Sequence, residues 1–175
     1  MPIKTDVWTV GLVPNKLRQS RLASEQLLEE MIISSPSILS DEWMLIGRQE
    51  NTGMGGRIDL LAIAPDGALV LIELKRDRTP REVVAQTLDY AAWVESLRGD
   101  EIAAIYKRFR PGSSLDVDFQ ARFGRVLDDD DLNKSHQLII VATVLDASSE
   151  RIVEYLSKRD IPINVLCFQI FQVGD

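Results

Sequence analysis

Asp59, Glu73 and Lys75 are the residues in this chain whose types and spacing suit metal-ion chemistry. Two carboxylates offer hard oxygen ligands for a divalent cation, and an ammonium group can hold or balance negative charge beside it. The three lie in two apolar runs, 57–64 and 68–75, that flank Pro65-Asp66-Gly67. Gly67 suits the left-handed position of a three-residue hairpin loop. A loop closed there pairs 64 with 68 and 63 with 69, and the same register sets Asp59 opposite Glu73. The strand period of two then puts Lys75 on the face of Glu73. Like charges facing each other across two strands destabilise a sheet, and carboxylates among Leu and Ile cost more still. A shared divalent cation reverses both penalties.

The elements that must hold these residues can be read along the chain. Residues 1–20 form an irregular N-terminal extension with a short strand near Trp8-Thr9-Val10. Residues 21–35 carry an apolar stripe (Leu22, Leu27, Leu28, Met31, Ile32) that predicts a helix, and Pro36 stops it. Trp43 to Gln49 reads as a strand, and 51–56 as a glycine-rich turn before the hairpin. Thr79 as N-cap, Pro80 at the first helical position and Glu82 in a capping box open a helix that runs to about Leu97. A second helix covers Glu101 to Phe109, and residues 113–135 read as polar and less regular. A strand over 136–144, a helix over 148–159 and a strand over 163–171 complete the order. It predicts one domain over 21–175, a three-layer α/β sandwich around a mixed central sheet.

The signature Asp59 followed by Glu73-Leu74-Lys75 resembles that of the PD-(D/E)XK nuclease superfamily, with Ile58 where the signature carries Pro. Gln86 and Tyr90, spaced Gln-X-X-X-Tyr on the next helix, resemble the motif of its RecB-like and NucS-like branches. The run from Gly55 to Ile63, and that from Thr79 to Gln86, are similar to uncharacterised bacterial proteins related to NucS. The resemblance implies a restriction-endonuclease-like core of order αβββαβ and a metal-dependent deoxyribonuclease acting in DNA repair or defence. It implies Mg²⁺ (or Mn²⁺) held by Asp59, Glu73 and the backbone carbonyl of Leu74. Glu25 and Glu29, four apart on one helical face, are candidates for a further ligand. Lys75 then positions water or stabilises charge, and Gln86 and Tyr90 orient Lys75 or touch a phosphate. Arg57, Arg76, Arg78 and Arg81 are the expected nucleic-acid contacts, with Lys107, Arg108 and Arg110 a second basic cluster. DNA is the expected partner, RNA an alternative, and a double-strand cut with one site per chain favours a homodimer.

Composition agrees with this expectation. The chain has 175 residues, 45% hydrophobic and 27% charged, enough to build a core. No apolar run is long enough to span a bilayer, and no secretion signal opens the chain, so a cytoplasmic protein is expected. A net charge of −7 argues against a general nucleic-acid coat, though a nuclease needs base only where phosphates lie. Cys167, in an apolar run, reads as a buried packing thiol. Asp128 to Asp131 read as a solvated acidic loop, because adjacent carboxylates do not converge on a pocket. With His136 the sole histidine, a histidine cluster for zinc is excluded. The rival reading is a non-catalytic nucleic-acid or protein binding module on the same fold.

Overall fold

The computed structural model of the chain describes residues 6–53, 55–79 and 81–172, without the side chains of Arg78 and Thr79. The first strand, β1 (Arg18–Ser20), leads to helix α1 (Glu25–Ser34). Ser24 caps α1 by accepting the Leu27 N–H at 3.0 Å, and the chain turns at Ser35 before Pro36. Strands β2 (Met44–Asn51), β3 (Arg57–Ile63) and β4 (Leu69–Leu74) follow, then the short β5 (Arg78–Thr79). Helices α2 (Arg81–Ser96), α3 (Gly99–Phe109) and α4 (Leu115–Phe123) come next. The chain ends with β6 (His136–Ala142), β7 (Val144–Leu145), α5 (Ala147–Ser157), β8 (Ile163–Cys167) and β9 (Ile170–Gln172).

The main sheet has five strands in the order β2-β3-β4-β6-β8. Pairs β2–β3 and β3–β4 are antiparallel, and β4–β6 and β6–β8 are parallel, so the sheet is mixed as expected. All six residues of β4 are buried. A strand covered on both faces reads as a continuous apolar run, which is what Leu69 to Ile72 show. One face packs Leu61, Ile63, Leu69, Leu71 and Ile140 against Val84 and Val94 of α2 and Ile105 of α3. The other packs Leu60, Ala62, Val70 and Ile72 against Leu28 and Ile32 of α1. Truncating a fully buried leucine such as Leu71 to alanine removes about 2–5 kcal/mol from such a core. The β3–β4 register has the expected pairs, Ile63↔Leu69 through Leu60↔Ile72.

Four readings change. Residues 115–123 form α4, whose apolar anchors Leu115, Phe119 and Phe123 are separated by acidic and polar residues that mask the stripe. The expected strand over 163–171 divides, because Ile170 to Gln172 leave the main sheet to pair with β1. Cys167 is exposed, since β8 is the edge strand of the sheet. Residues near Trp8 contribute one bridge, Trp8 to Lys16. The expectation for Pro80 and for the Thr79 cap falls outside the described residues. No helix among the described residues is long and apolar enough to cross a membrane.

Candidate active site

The β3–β4 ladder stops at Leu60↔Ile72, and a side chain takes over where it ends. The Leu74 N–H donates to Asp59 Oδ2 at 2.8 Å. β4 meanwhile stays attached to β6, through Leu74 opposite Val141 and the Lys75 N–H donating to the Val141 carbonyl. Asp59 therefore occupies the place where β3 and β4 part. Glu73 is 1% exposed and points to the α2 side, where its Oε1 accepts from Lys75 Nζ at 2.8 Å and from Gln86 Nε2 at 3.0 Å. Gln86 also donates to the Tyr90 hydroxyl at 2.8 Å, and that hydroxyl accepts the Arg57 N–H at 3.2 Å. Tyr90 comes this close only because residue 56 is glycine: a Cβ there would fall within the tyrosine ring. Glu73, Lys75, Gln86 and Tyr90 are thus joined in one network, and Asp59 borders it through the Leu74 N–H.

Glu73 Oε2 is buried and has no hydrogen-bond partner. Among the described residues, Asn133 Oδ1 is the other buried side-chain oxygen in that condition. A buried acceptor without a partner is costly, and in Glu73 the cost appears as basicity. Burial first, and then the charge of Asp59, push its carboxyl up to about 7. Burial also raises Asp59, against the Leu74 N–H and the charge of Lys75, which lower it. For Lys75 burial works downward, but the hydrogen bond and charge of Glu73, with Glu25 and Asp59 behind it, outweigh burial and hold the ammonium above its ordinary value. Lys75 is therefore a cation at neutral pH, suited to electrostatic work rather than to accepting a proton.

Glu25 and Glu29 both border the site, yet neither forms with Asp59 and Glu73 a cluster of three ligating side chains among the described residues. Their carboxylates are committed elsewhere. Glu25 Oε1 accepts the Arg76 N–H at 3.2 Å. Glu29 is buried and accepts from Arg48 Nε and, at 2.6 Å, from Gln49 Nε2. The same Gln49 nitrogen donates to Asp59 Oδ1 at 3.1 Å, so one amide ties Glu29 to Asp59. Gln49 was not among the residues expected from sequence. It has φ of 52°, a left-handed value that few residues other than glycine adopt. Its sequence signal was slight: it lies directly across β3 from Asp59, but a strand read as regular gives no reason to link it to α1.

The expected basic contacts differ in availability. Arg57 is exposed at the mouth of the site. Arg76 is engaged with Asp77 and the Ala23 carbonyl, and Arg81 with Glu82. The Arg78 side chain lies outside the described residues. A cavity of about 630 Å³ between Trp43, Tyr106, Phe109 and Arg122 contains none of the expected site residues.

Two carboxylates with an unused buried oxygen fit a small hard cation. Mg²⁺ is commonly held by one or two carboxylates, with water and phosphate oxygens filling the other positions. Lack of a third side-chain carboxylate is therefore compatible with Mg²⁺ and poorly suited to an all-protein cage.

Residues 24–108 match the family model of the endonuclease NucS C-terminal domain. Two solved structures share the fold. One is a repair endonuclease from Pyrococcus abyssi, 14% identical, with a TM-score of 0.52 over 93% of this chain and 65% of that one. The other is EndoMS in a complex with double-stranded DNA, 16% identical, with a TM-score of 0.53 over 93% of this chain and 64% of that one. The chain spans just under two thirds of the length of each. The mixed sheet expected from the sequence is the one these endonucleases use, and the matched segment contains every residue of the network described above.

Proposed function

We propose, from the match of residues 24–108 to the NucS C-terminal domain and from the shared fold, that this chain is a NucS-like PD-(D/E)XK nuclease that hydrolyses phosphodiester bonds in DNA with a divalent metal ion, in repair or defence. The observation that carries the metal requirement is Glu73 Oε2, a buried carboxylate oxygen without a partner beside a second carboxylate. Asp59 and Glu73 would hold Mg²⁺ (or Mn²⁺), with the Leu74 carbonyl as a backbone ligand. When bound, the ion lowers the pKa of water and stabilises charge building on the phosphate.

The chain's own residues do the remaining work. The Leu74 N–H and the Gln49 amide fix the Asp59 carboxylate from two sides. Gln86 and Lys75 fix Glu73 through one oxygen and leave the other available. Lys75, kept charged, positions the attacking water or stabilises the negative charge of the transition state. Tyr90 sets the Gln86 amide and ties it to the backbone at Arg57. Glu25 and Glu29 act one step removed, by field and through Gln49. Of the expected basic contacts, Arg57 offers exposed positive charge beside the site, whereas Arg76 and Arg81 are paired with Asp77 and Glu82.

Calorimetric titration with Mg²⁺ and Mn²⁺, on the unaltered chain and on Glu73→Gln, tests the metal site. Binding that is abolished by the substitution supports it, and equal binding by both removes it. Cleavage of single-stranded, double-stranded, branched and mismatched DNA, with RNA alongside, then defines the substrate. Metal binding with no cleavage of any of these would favour the non-catalytic module. Sedimentation with and without duplex DNA tests the homodimer that a double-strand cut with one site per chain would favour.

A further inference from the structure

Beside the Asp59–Glu73 site, on the outer edge of the sheet, lies a second cavity of about 590 Å³ lined by Arg48, Gln49, Glu50, Asn51, Arg108 and Phe109. Gln49 forms the partition between the two, since its amide reaches Asp59 while its side chain also lines the cavity. We propose that this cavity is a phosphate-binding subsite in which Arg48 and Arg108 grip the DNA backbone next to the phosphate being cut, an inference that rests on the nuclease reading above.

The first support is the orientation of the ion pairs. Arg48 binds Glu29 with the arginine side chain 39% exposed and the glutamate 6%, and Arg108 binds Glu50 at 2.6 Å with 60% and 11%. In both pairs the acid is the more buried partner, so the guanidinium is the part that solvent and a ligand can reach, although Glu50 also lines the cavity. The surface pair Arg81–Glu82 lacks this asymmetry: its two side chains are 72% and 71% exposed and their fields cancel in water. A chain with net charge −7 attracts DNA only where such a local surplus faces outward. A guanidinium has five N–H donors in a planar fork, and its carboxylate here engages one nitrogen, so the fork keeps donors for phosphate oxygens.

The backbone supplies the second support. Neighbouring side chains on a strand point to opposite faces, yet Arg48 and Gln49 both reach Glu29. The left-handed φ of Gln49 breaks the alternation and makes this convergence available. Strained backbone of this sort persists where surrounding contacts hold it. Here it places a cation and the Asp59 support side by side. Arg108 arrives from a different element, α3, within the basic cluster noted in the sequence.

The test is equilibrium binding of a fluorescent duplex and its single strand to the full chain carrying Glu73→Gln, in Ca²⁺, across a salt series. Adding Arg108→Ala should weaken binding about tenfold or more, and should reduce the slope of log affinity against log salt by about one. Arg108→Lys should restore the slope. Because Arg108→Ala leaves Glu50 buried and unpaired, the pair Glu50→Gln with Arg108→Met is measured too, and it should lose the same slope. Lys158→Ala, whose partner Glu154 is on α5, should change neither quantity. If folded Arg108 and Arg48 variants bind with unaltered affinity and slope while the parent binds DNA, the subsite is overturned and the nuclease reading stands. If the parent binds neither oligonucleotide, both fall.

Discussion

Two parts of this molecule are rich in carboxylates, and they are opposites. Asp128 to Asp131 follow one another in sequence, yet they do not act together. Asp131 pairs with Arg125 and Lys134, Asp128 caps its own turn at the Asp130 N–H, and the first three of the run are exposed. Glu29, Asp59 and Glu73 are far apart in sequence, yet α1, β3 and β4 deliver them to one place with Gln49, Lys75 and Gln86 between them. The run is dense in charge and lies in solvent. In the assembled set burial raises the carboxyls of Asp59 and Glu73, because burial is what makes a carboxylate depend on its neighbours.

Substitution should separate the two regions by orders of magnitude. Asp59→Ala, Glu73→Ala and Lys75→Ala should each lower cleavage by about a thousandfold or more, while Asp129→Asn with Asp130→Asn leaves it within about twofold, as single-turnover assays would read. Near-normal cleavage by Lys75→Ala would break the mechanism. The next contrast is in pH. Glu73 is raised from 4.5 to about 7 in the folded chain, so between those values the folded state binds more protons than the unfolded one. Stability of the metal-free protein should therefore fall as pH rises from about 4.5 to about 7, by about 3 kcal/mol. Denaturant melts should show that decline, and Glu73→Gln should flatten it; Asp128→Asn should not.

Two glycines carry a smaller version of the same contrast. Gly67 has φ of 87° and a Cβ there would stand 2.8 Å from the Asp131 carbonyl oxygen, so Gly67→Ala should cost about 2 kcal/mol of stability. Because it strikes the acidic loop, it should leave metal affinity intact. Gly56→Ala should cost a similar amount but also displace Tyr90, lowering cleavage in proportion to the shift of the Gln86 amide. Equal catalytic damage from both would mean that the regions are coupled more tightly than their contacts imply. Smallest of all, Asp131→Asn removes two partly exposed ion pairs and should shift stability by less than about 1 kcal/mol, detectable in low salt and lost in high.

What sequence could reveal follows the range of each interaction. The β3–β4 register was legible as far as Leu60↔Ile72, because the turn chemistry at Gly67 and the period of two act over neighbouring residues; that the ladder ends there, with Asp59 taking the Leu74 N–H, was not. Gln86 and Tyr90 were legible from their resemblance to the Gln-X-X-X-Tyr motif, and helical spacing puts both on one face. Gln49 was hidden, since its role depends on a backbone value that no pattern encodes and on an acid in another element. Glu25 and Glu29 were found as neighbours of the site, but their commitments to Arg76 and to Arg48 with Gln49 are tertiary. Cys167 was misread because an apolar run does not say whether its strand is central or at the edge. α4 escaped because Asp116, Asp118, Gln120 and Arg122 interrupt the stripe formed by its three anchors.

Asn133, in left-handed conformation at φ of 56°, donates its side-chain amide to the Val94 and Leu97 carbonyls, and its own N–H goes to the Gly67 carbonyl. It thereby fastens the tail of α2 to the β3–β4 turn. Gln86 sits eight residues earlier on that helix, about 12 Å along its axis. The helix is thus a lever anchored at its remote end, and a change at Asn133 would swing the Gln86 amide away from Glu73 without altering a single residue around the metal position.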